Sequence, residues 1–75
     1  MLLKKGSLVS FSPRESGEQI IILTLEDQQL NIDKIYCCNL VIANKLGKES
    51  CFRKVGQSWT LSFISSNYRI LVEAK

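Results

Sequence analysis

The side chains that most often carry enzyme chemistry are sparse in this sequence. It has no histidine among its 75 residues, which removes the commonest general base and the Ser-His and Cys-His nucleophile pairs. The only adjacent carboxylates are Glu26 and Asp27, in a polar segment where both groups should stay solvated and ionised. The glycines are isolated, so no phosphate-binding loop is predicted. We therefore expect a protein without enzymatic activity.

Three cysteines are the next candidates for chemistry. Cys37 and Cys38 are adjacent and Cys51 follows later, a spacing that lacks the Cys-x-x-Cys pair of a structural zinc site. Adjacent residues of a strand point to opposite faces, so the first two thiols would not converge on one metal ion. An odd number of cysteines cannot pair fully within one chain, which favours free thiols. We predict no metal, no other cofactor and a cytoplasmic protein with three free thiols.

The one positive signal for binding is a group of basic residues interleaved with aromatic ones. Cations contact phosphates and flat rings stack on bases when a protein binds single-stranded RNA or DNA. The alternative interpretation is a solvated turn at Lys48 and a core position for Trp59. A net charge of +3 permits nucleic-acid binding without requiring it. The candidate contacts are Lys45, Lys48, Arg53, Lys54 and Arg69, with Phe52 and Tyr68 as the stacking rings.

Part of this basic segment resembles a known family. The run Arg53-Lys54-Val55-Gly56-Gln57, followed by Trp59, Leu61 and a strand over residues 68–72, is similar to the first hairpin of the carbon storage regulator family of small dimeric RNA-binding proteins. The resemblance implies that Arg53 contacts RNA. It covers only the last third of the chain, whereas in that family the motif opens the protein, and the family's later strands have no counterpart here.

The elements that hold these residues are predicted to be strands. Isoleucine occurs eight times and alanine twice, and β-branched residues suit a pleated surface whereas alanine suits helices. Residues 7–12 alternate apolar and polar side chains, which is typical of a strand with one solvated face. Residues 19–25 are almost wholly apolar. They indicate a central strand covered on both faces.

Residues 30–46 fit either a helix or a strand. A helix would begin after Asn31 as N-cap and end at Gly47, whereas the β-branched content favours a strand in the second half. A strand would place Tyr36, Cys38, Leu40 and Ile42 on one face. The segment 46–49 is then a hairpin turn that returns the chain through Phe52.

The end of the chain predicts a hairpin over residues 59–73 that turns at 65–67. Its buried side is predicted to carry Trp59, Leu61, Phe63, Ile70 and Val72. Five or six short antiparallel strands in one domain, residues 1–75, fit a small SH3-like or OB-like barrel that is all-β or carries one short helix. A chain this short buries a small core, so a homodimer is also possible.

Two functions follow from these features. The first is a small protein-interaction module, such as an inhibitor or accessory subunit, that uses an exposed strand edge or an apolar patch. The alternative is a small basic β-barrel that binds RNA or single-stranded DNA through the residues named above. No apolar run is long enough for a signal peptide or a membrane span, so we expect no membrane partner.

Overall fold

The protein is built from β-strands. A computed structural model describes residues 2–12, 18–30, 36–45, 53–61 and 67–75, and these residues contain no helix. Their strands are β1 (Leu2–Leu3), β2 (Leu8–Ser12), β3 (Gln19–Thr24), β4 (Gln28–Gln29), β5 (Cys37–Lys45), β6 (Ser58–Leu61) and β7 (Asn67–Val72). Both predicted strands of the first half are confirmed, and the ambiguous segment is a strand from Cys37 onward. Asn31 lies outside the described residues.

The main sheet has five antiparallel strands in the order β6-β5-β3-β2-β7. The apolar strand β3 occupies the centre, as predicted, between β2 and β5. The two-residue strands β1 and β4 pair with each other in a second small sheet. Within the described residues, β6 and β7 are therefore the two edges of the main sheet.

The main sheet is curled but not closed, so the predicted SH3-like or OB-like barrel is not confirmed. Phe11 on β2 and Trp59 on β6 are three strands apart, which is roughly 14 Å on a flat sheet, yet their ring centroids lie 5.1 Å apart. The sheet must bend toward this side to bring the rings together. No pairing joins β6 to β7 among the described residues, so the curl stops short of a barrel.

The predicted hairpin over residues 59–73 is wrong, although both of its strands exist. β6 pairs with β5, and β7 pairs with β2 at the opposite edge. Alternation of apolar side chains reports which face a strand buries and carries no information about its neighbours. Residues 65 and 66 of the predicted turn lie outside the described residues, and so does Phe63.

A β-bulge corrects the predicted burial of the last strand. The pairing steps from Val9 opposite Ile70 to Leu8 opposite Val72, so Leu71 is the extra residue. Ile70 stays packed against the core, as predicted, whereas Val72 is 53% exposed on the other face. A similar shift at Ile42 on β5 breaks the predicted alternation of that strand.

The concave inner face of the main sheet carries the core. Its buried members come from the alternate positions of β2, β3, β5 and β6, together with Leu3 of β1 and Leu30 directly after β4. Trp59, Tyr68 and Ile70 pack against this cluster from the two edges. The described core is Leu3, Val9, Phe11, Ile20, Ile22, Leu30, Val41 and Leu61.

Candidate functional site

The described members of the predicted nucleic-acid contacts lie on different parts of the protein. Lys45 and Arg69 are exposed on the outer face of the main sheet, and Lys54 is exposed in a turn. Tyr68 is half-buried, because it lies opposite Phe11 on the inner face and packs against the core. Two further candidates, Lys48 and Phe52, lie outside the described residues.

Arg53 is held beside the core at one end of the sheet. Its guanidinium carbon lies 4.2 Å from the centroid of the Trp59 ring, within the range of a cation–π contact. Its backbone N–H lies 3.4 Å from an oxygen of Glu18, a carboxylate only 2% exposed. Asn44 donates from its side-chain amide to the Arg53 carbonyl. These contacts give Arg53 a packing role, in contrast to the freely exposed Lys54 beside it.

The turn that follows Arg53 explains the position of Lys54. Gln57 donates its backbone N–H to the carbonyl of Lys54 at 3.0 Å, and Gly56 has φ +86°. A type II turn requires this left-handed conformation at its third residue, which favours glycine there. Val55 at the second position is consequently 60% exposed.

A buried polar network lies at the other end of the inner face. Gln28 donates to the side-chain oxygen of Asn39 at 2.7 Å, and Asn39 donates to the Cys37 carbonyl at 2.9 Å. Thr24 accepts from the Ser7 N–H at 2.9 Å and donates to the Lys4 carbonyl at 3.0 Å. The hydrogen bond from Gln28 on β4 to Asn39 on β5 joins the small sheet to the main one, and Thr24 on β3 holds the segment after β1. They form a structural network and expose no reactive group.

The two described cysteines are free thiols on opposite faces of β5. Cys37 lies opposite Leu61 on the buried face, whereas Cys38 lies opposite Thr60 on the outer face. Burial raises the pKa of the Cys37 thiol, and the nearby Glu26 carboxylate raises it further. A thiol held protonated in this way is a poor nucleophile. Cys51 lies outside the described residues.

The outer face of the main sheet carries a continuous apolar stripe. Leu40 lies opposite Leu23, Leu23 opposite Leu8, and Leu8 opposite Val72. The stripe therefore crosses β5, β3, β2 and β7 over three strand spacings, roughly 14 Å. Its leucines are half-buried only by their neighbours in the sheet, and Val72 is mostly exposed.

The two ends of the strands of the main sheet differ in charge. Toward one end, Ile21 and Ala43 line a shallow depression together with Gln19 and Lys45, and Arg69 lies opposite Ser10 in the same direction. Toward the other end come Glu26, which accepts the Cys38 N–H at 2.8 Å, and Glu73 directly after Val72. The cations and these two carboxylates thus lie at opposite ends of the strands.

Sequence reasoning missed this stripe because its members come from four separate segments. The signal that pointed toward it was the apolar run at 19–25, which required cover on both faces of β3. Ile20 and Ile22 are covered by the core, whereas Leu23 on the other side belongs to the stripe. Among the described residues, no three potential metal ligands lie together.

Comparisons with known proteins give no match from which a function could be inferred, so function is argued from the fold and the site. No family model, curated protein or solved structure matches the chain. The resemblance to the carbon storage regulator family therefore has no support from a family model, and the hairpin that carried it is split between the two sheet edges. Among the described residues, no helix has the length and apolarity needed to cross a membrane.

Proposed function

We propose that this protein is a non-enzymatic protein-interaction module whose contact surface is the outer face of its main sheet. The observation that carries the proposal is the apolar stripe of Leu8, Leu23, Leu40 and Val72, which lies in register across four strands. Contiguous apolar surface of this kind marks interaction sites on soluble domains. Two further apolar side chains, Ile42 and Leu71 at the two bulges, are also exposed.

The inner face supports this assignment by contrast. The side chains of Gln28 and Asn39 are hydrogen-bonded to each other and to the backbone of β5, and the described thiol of this face is kept protonated by burial. Neither feature offers a nucleophile or a general base. The surface that a partner could bury is therefore the outer one, where apolar side chains remain in contact with solvent.

Two exposed valines allow a matched test. Val72 lies in the apolar stripe, whereas Val55 lies in a turn next to the opposite edge of the sheet and is exposed to a similar degree, 53% against 60%. Capture experiments from the cells that produce the protein should recover partners with the wild-type chain and the Val55→Asp variant. The Val72→Asp variant should fail to recover them, because a carboxylate cannot be desolvated against an apolar partner. Equal recovery with both variants would reject the outer face as the contact surface.

Binding of single-stranded nucleic acid is the second candidate function. It is favoured by the exposure of Lys45 and Arg69 on one face, with no acidic residue in the described strands between them. The test is fluorescence anisotropy with a labelled single-stranded oligonucleotide at low salt. Replacing Lys45 and Arg69 together by Ala should weaken binding and lower the salt slope by roughly 0.7 for each phosphate that is no longer neutralised. An absence of binding by the wild-type protein at low salt would remove this candidate.

A further inference from the structure

We infer that the basic end of the outer face binds the sugar-phosphate backbone of a single-stranded nucleic acid, whatever bases that strand carries. This inference rests on the second candidate function, because it names the part of the nucleic acid that the same two cations contact. Phosphate contacts carry no sequence information, so a site made of them binds different sequences to a similar extent. Recognition of bases needs stacking rings or contacts with base edges instead.

Four polar side chains form a row across the sheet at this end. Lys45 on β5 lies opposite Gln19 on β3, and Ser12 on β2 lies opposite Asn67 on β7. Continuing the β2–β3 register by one residue makes Gln19 and Ser12 neighbours as well. All four are exposed, and alternation places them on the outer face, since Phe11 beside this row faces the core. This polar row spans three strand spacings, roughly 14 Å.

The polar row and the row next to it carry positive charge and no negative charge. Lys45 belongs to the polar row, and Arg69 lies in the next row, opposite Ser10. The other members of both rows are neutral. Their amides and hydroxyls can donate hydrogen bonds to phosphate oxygens, as the two cations do. A phosphate here therefore meets cations and donors, and no carboxylate of these two rows repels it.

A depression beside the polar row provides a place for a sugar. Ile21 and Ala43 line this depression of about 150 Å³ together with Gln19 and Lys45. A ribose or deoxyribose ring carries C–H groups that pack on apolar surface, whereas the phosphates on either side of it need cations and donors. The surface thus has the same succession of apolar and polar groups as a nucleic-acid backbone.

Neither row contains an aromatic ring that could stack on a base. Tyr68, a predicted stacking residue, packs against the core on the inner face, and so does Trp59. Tyr36 is 63% exposed, but it precedes β5 at the end far from Lys45. Bases of a strand bound along the polar row therefore find no ring among the described residues beside it. Contacts with the backbone take the place of the predicted stacking.

Two glutamines allow a matched test. Gln19 lies in the polar row, whereas Gln29 lies in β4 of the small sheet, and both are exposed. Fluorescence anisotropy at about 20 mM salt follows the binding of a labelled single-stranded oligonucleotide and of an abasic strand with the same backbone. The wild-type chain and Gln29→Glu should bind both strands equally well. Gln19→Glu should weaken both about tenfold, because its carboxylate cancels the charge that Lys45 offers to one phosphate.

A second variant guards against an effect on folding. Asn67→Asp introduces a carboxylate at the opposite end of the polar row, at an exposed position, and should weaken binding by a similar factor. The urea midpoints of both variants should match that of Gln29→Glu, since exposed charges contribute little to stability. Undiminished binding by either folded variant would reject the polar row as the site.

The outcomes separate this inference from the function on which it rests. Binding of the oligonucleotide without binding of the abasic strand would overturn backbone recognition and leave the nucleic-acid function standing. Binding of neither strand by the wild-type chain would remove both. A glutamate peptide of the same total charge that bound as tightly as the abasic strand would overturn the assignment to phosphate. It would indicate an acidic segment of a protein as the ligand.

Discussion

The two faces of the main sheet are built from the same strands but differ in how their apolar side chains are covered. On β3, Ile22 points inward and is fully buried, whereas Leu23 points outward and is covered only by its neighbours. The inner face packs against the small sheet, and the rings of Phe11 and Trp59 lie within it. The outer face meets solvent in the described structure. The inner face therefore provides folding energy, and the outer face is available for association.

The largest effect expected from this difference comes from adjacent residues of β3. Ile22→Ala should lower the free energy of unfolding by about 2–5 kcal/mol, because it removes buried methyl groups and leaves a cavity. Leu23→Ala should cost about 1 kcal/mol, since the side chain is already partly solvated. Urea denaturation measures both values. Equal costs would show that the two faces are buried alike and would break the distinction between them.

The next effect concerns the polar part of the inner face. Asn39 has no solvent exposure and links Gln28 to the backbone of β5. Asn39→Ala should cost about 1–3 kcal/mol, because the Gln28 amide is left buried without its acceptor. Replacing Gln28 and Asn39 together by Ala in a double-mutant cycle should cost less than the sum of the two single changes. Strict additivity would mean that the two side chains do not depend on one another.

Much of the inner face could be predicted from the sequence. Alternation at Val9 and Phe11 correctly indicated a strand with these two side chains buried, and the apolar run correctly indicated the central strand β3, whereas Ser10 on the face predicted to be solvated is buried. The order of the strands could not be predicted, because period-two patterns identify a face and leave the neighbour open. Val72 shows the second limit. The bulge at Leu71 moves it to the outer face, and a bulge has no reliable signature in a single sequence.

The candidate site could be predicted only in fragments. Charge and side-chain type singled out Lys45 and Arg69, which the structure places on one face, and their contact with nucleic acid stays a prediction. They did not reveal that Arg53 packs on Trp59, since that contact depends on the turn at Gly56 and the curl of the sheet. The apolar stripe was invisible because each of its members is an ordinary apolar residue in its own strand. Only the register brings them together.

A smaller effect on stability is expected at Arg53, which lies beside the core at one end of the sheet. Arg53→Gln should cost about 0.5–1 kcal/mol, because it removes the cation that lies over the Trp59 ring. Lys54→Gln, one residue further along and exposed, should change stability by less than about 0.5 kcal/mol. Thermal or urea unfolding compares the two. A cost at Lys54 equal to that at Arg53 would mean that the cation–π interaction contributes nothing measurable.

The smallest effect is a pH dependence confined to the inner face. Burial, reinforced by the Glu26 carboxylate, raises the pKa of Cys37 in the folded chain above its value in the unfolded chain. The folded state therefore holds the thiol proton more tightly. This contribution is fully present below the ordinary thiol pKa, near pH 8.5, and is lost as the pH rises from there through the folded pKa.

Urea midpoints measured from about pH 7 to 10 should fall with rising pH, and the fall should be shallower for Cys37→Ala than for wild type. Cys38→Ala, which removes the neighbouring thiol from the outer face, serves as the matched control. An identical slope for Cys37→Ala and wild type would show that the buried thiol does not contribute to the pH dependence.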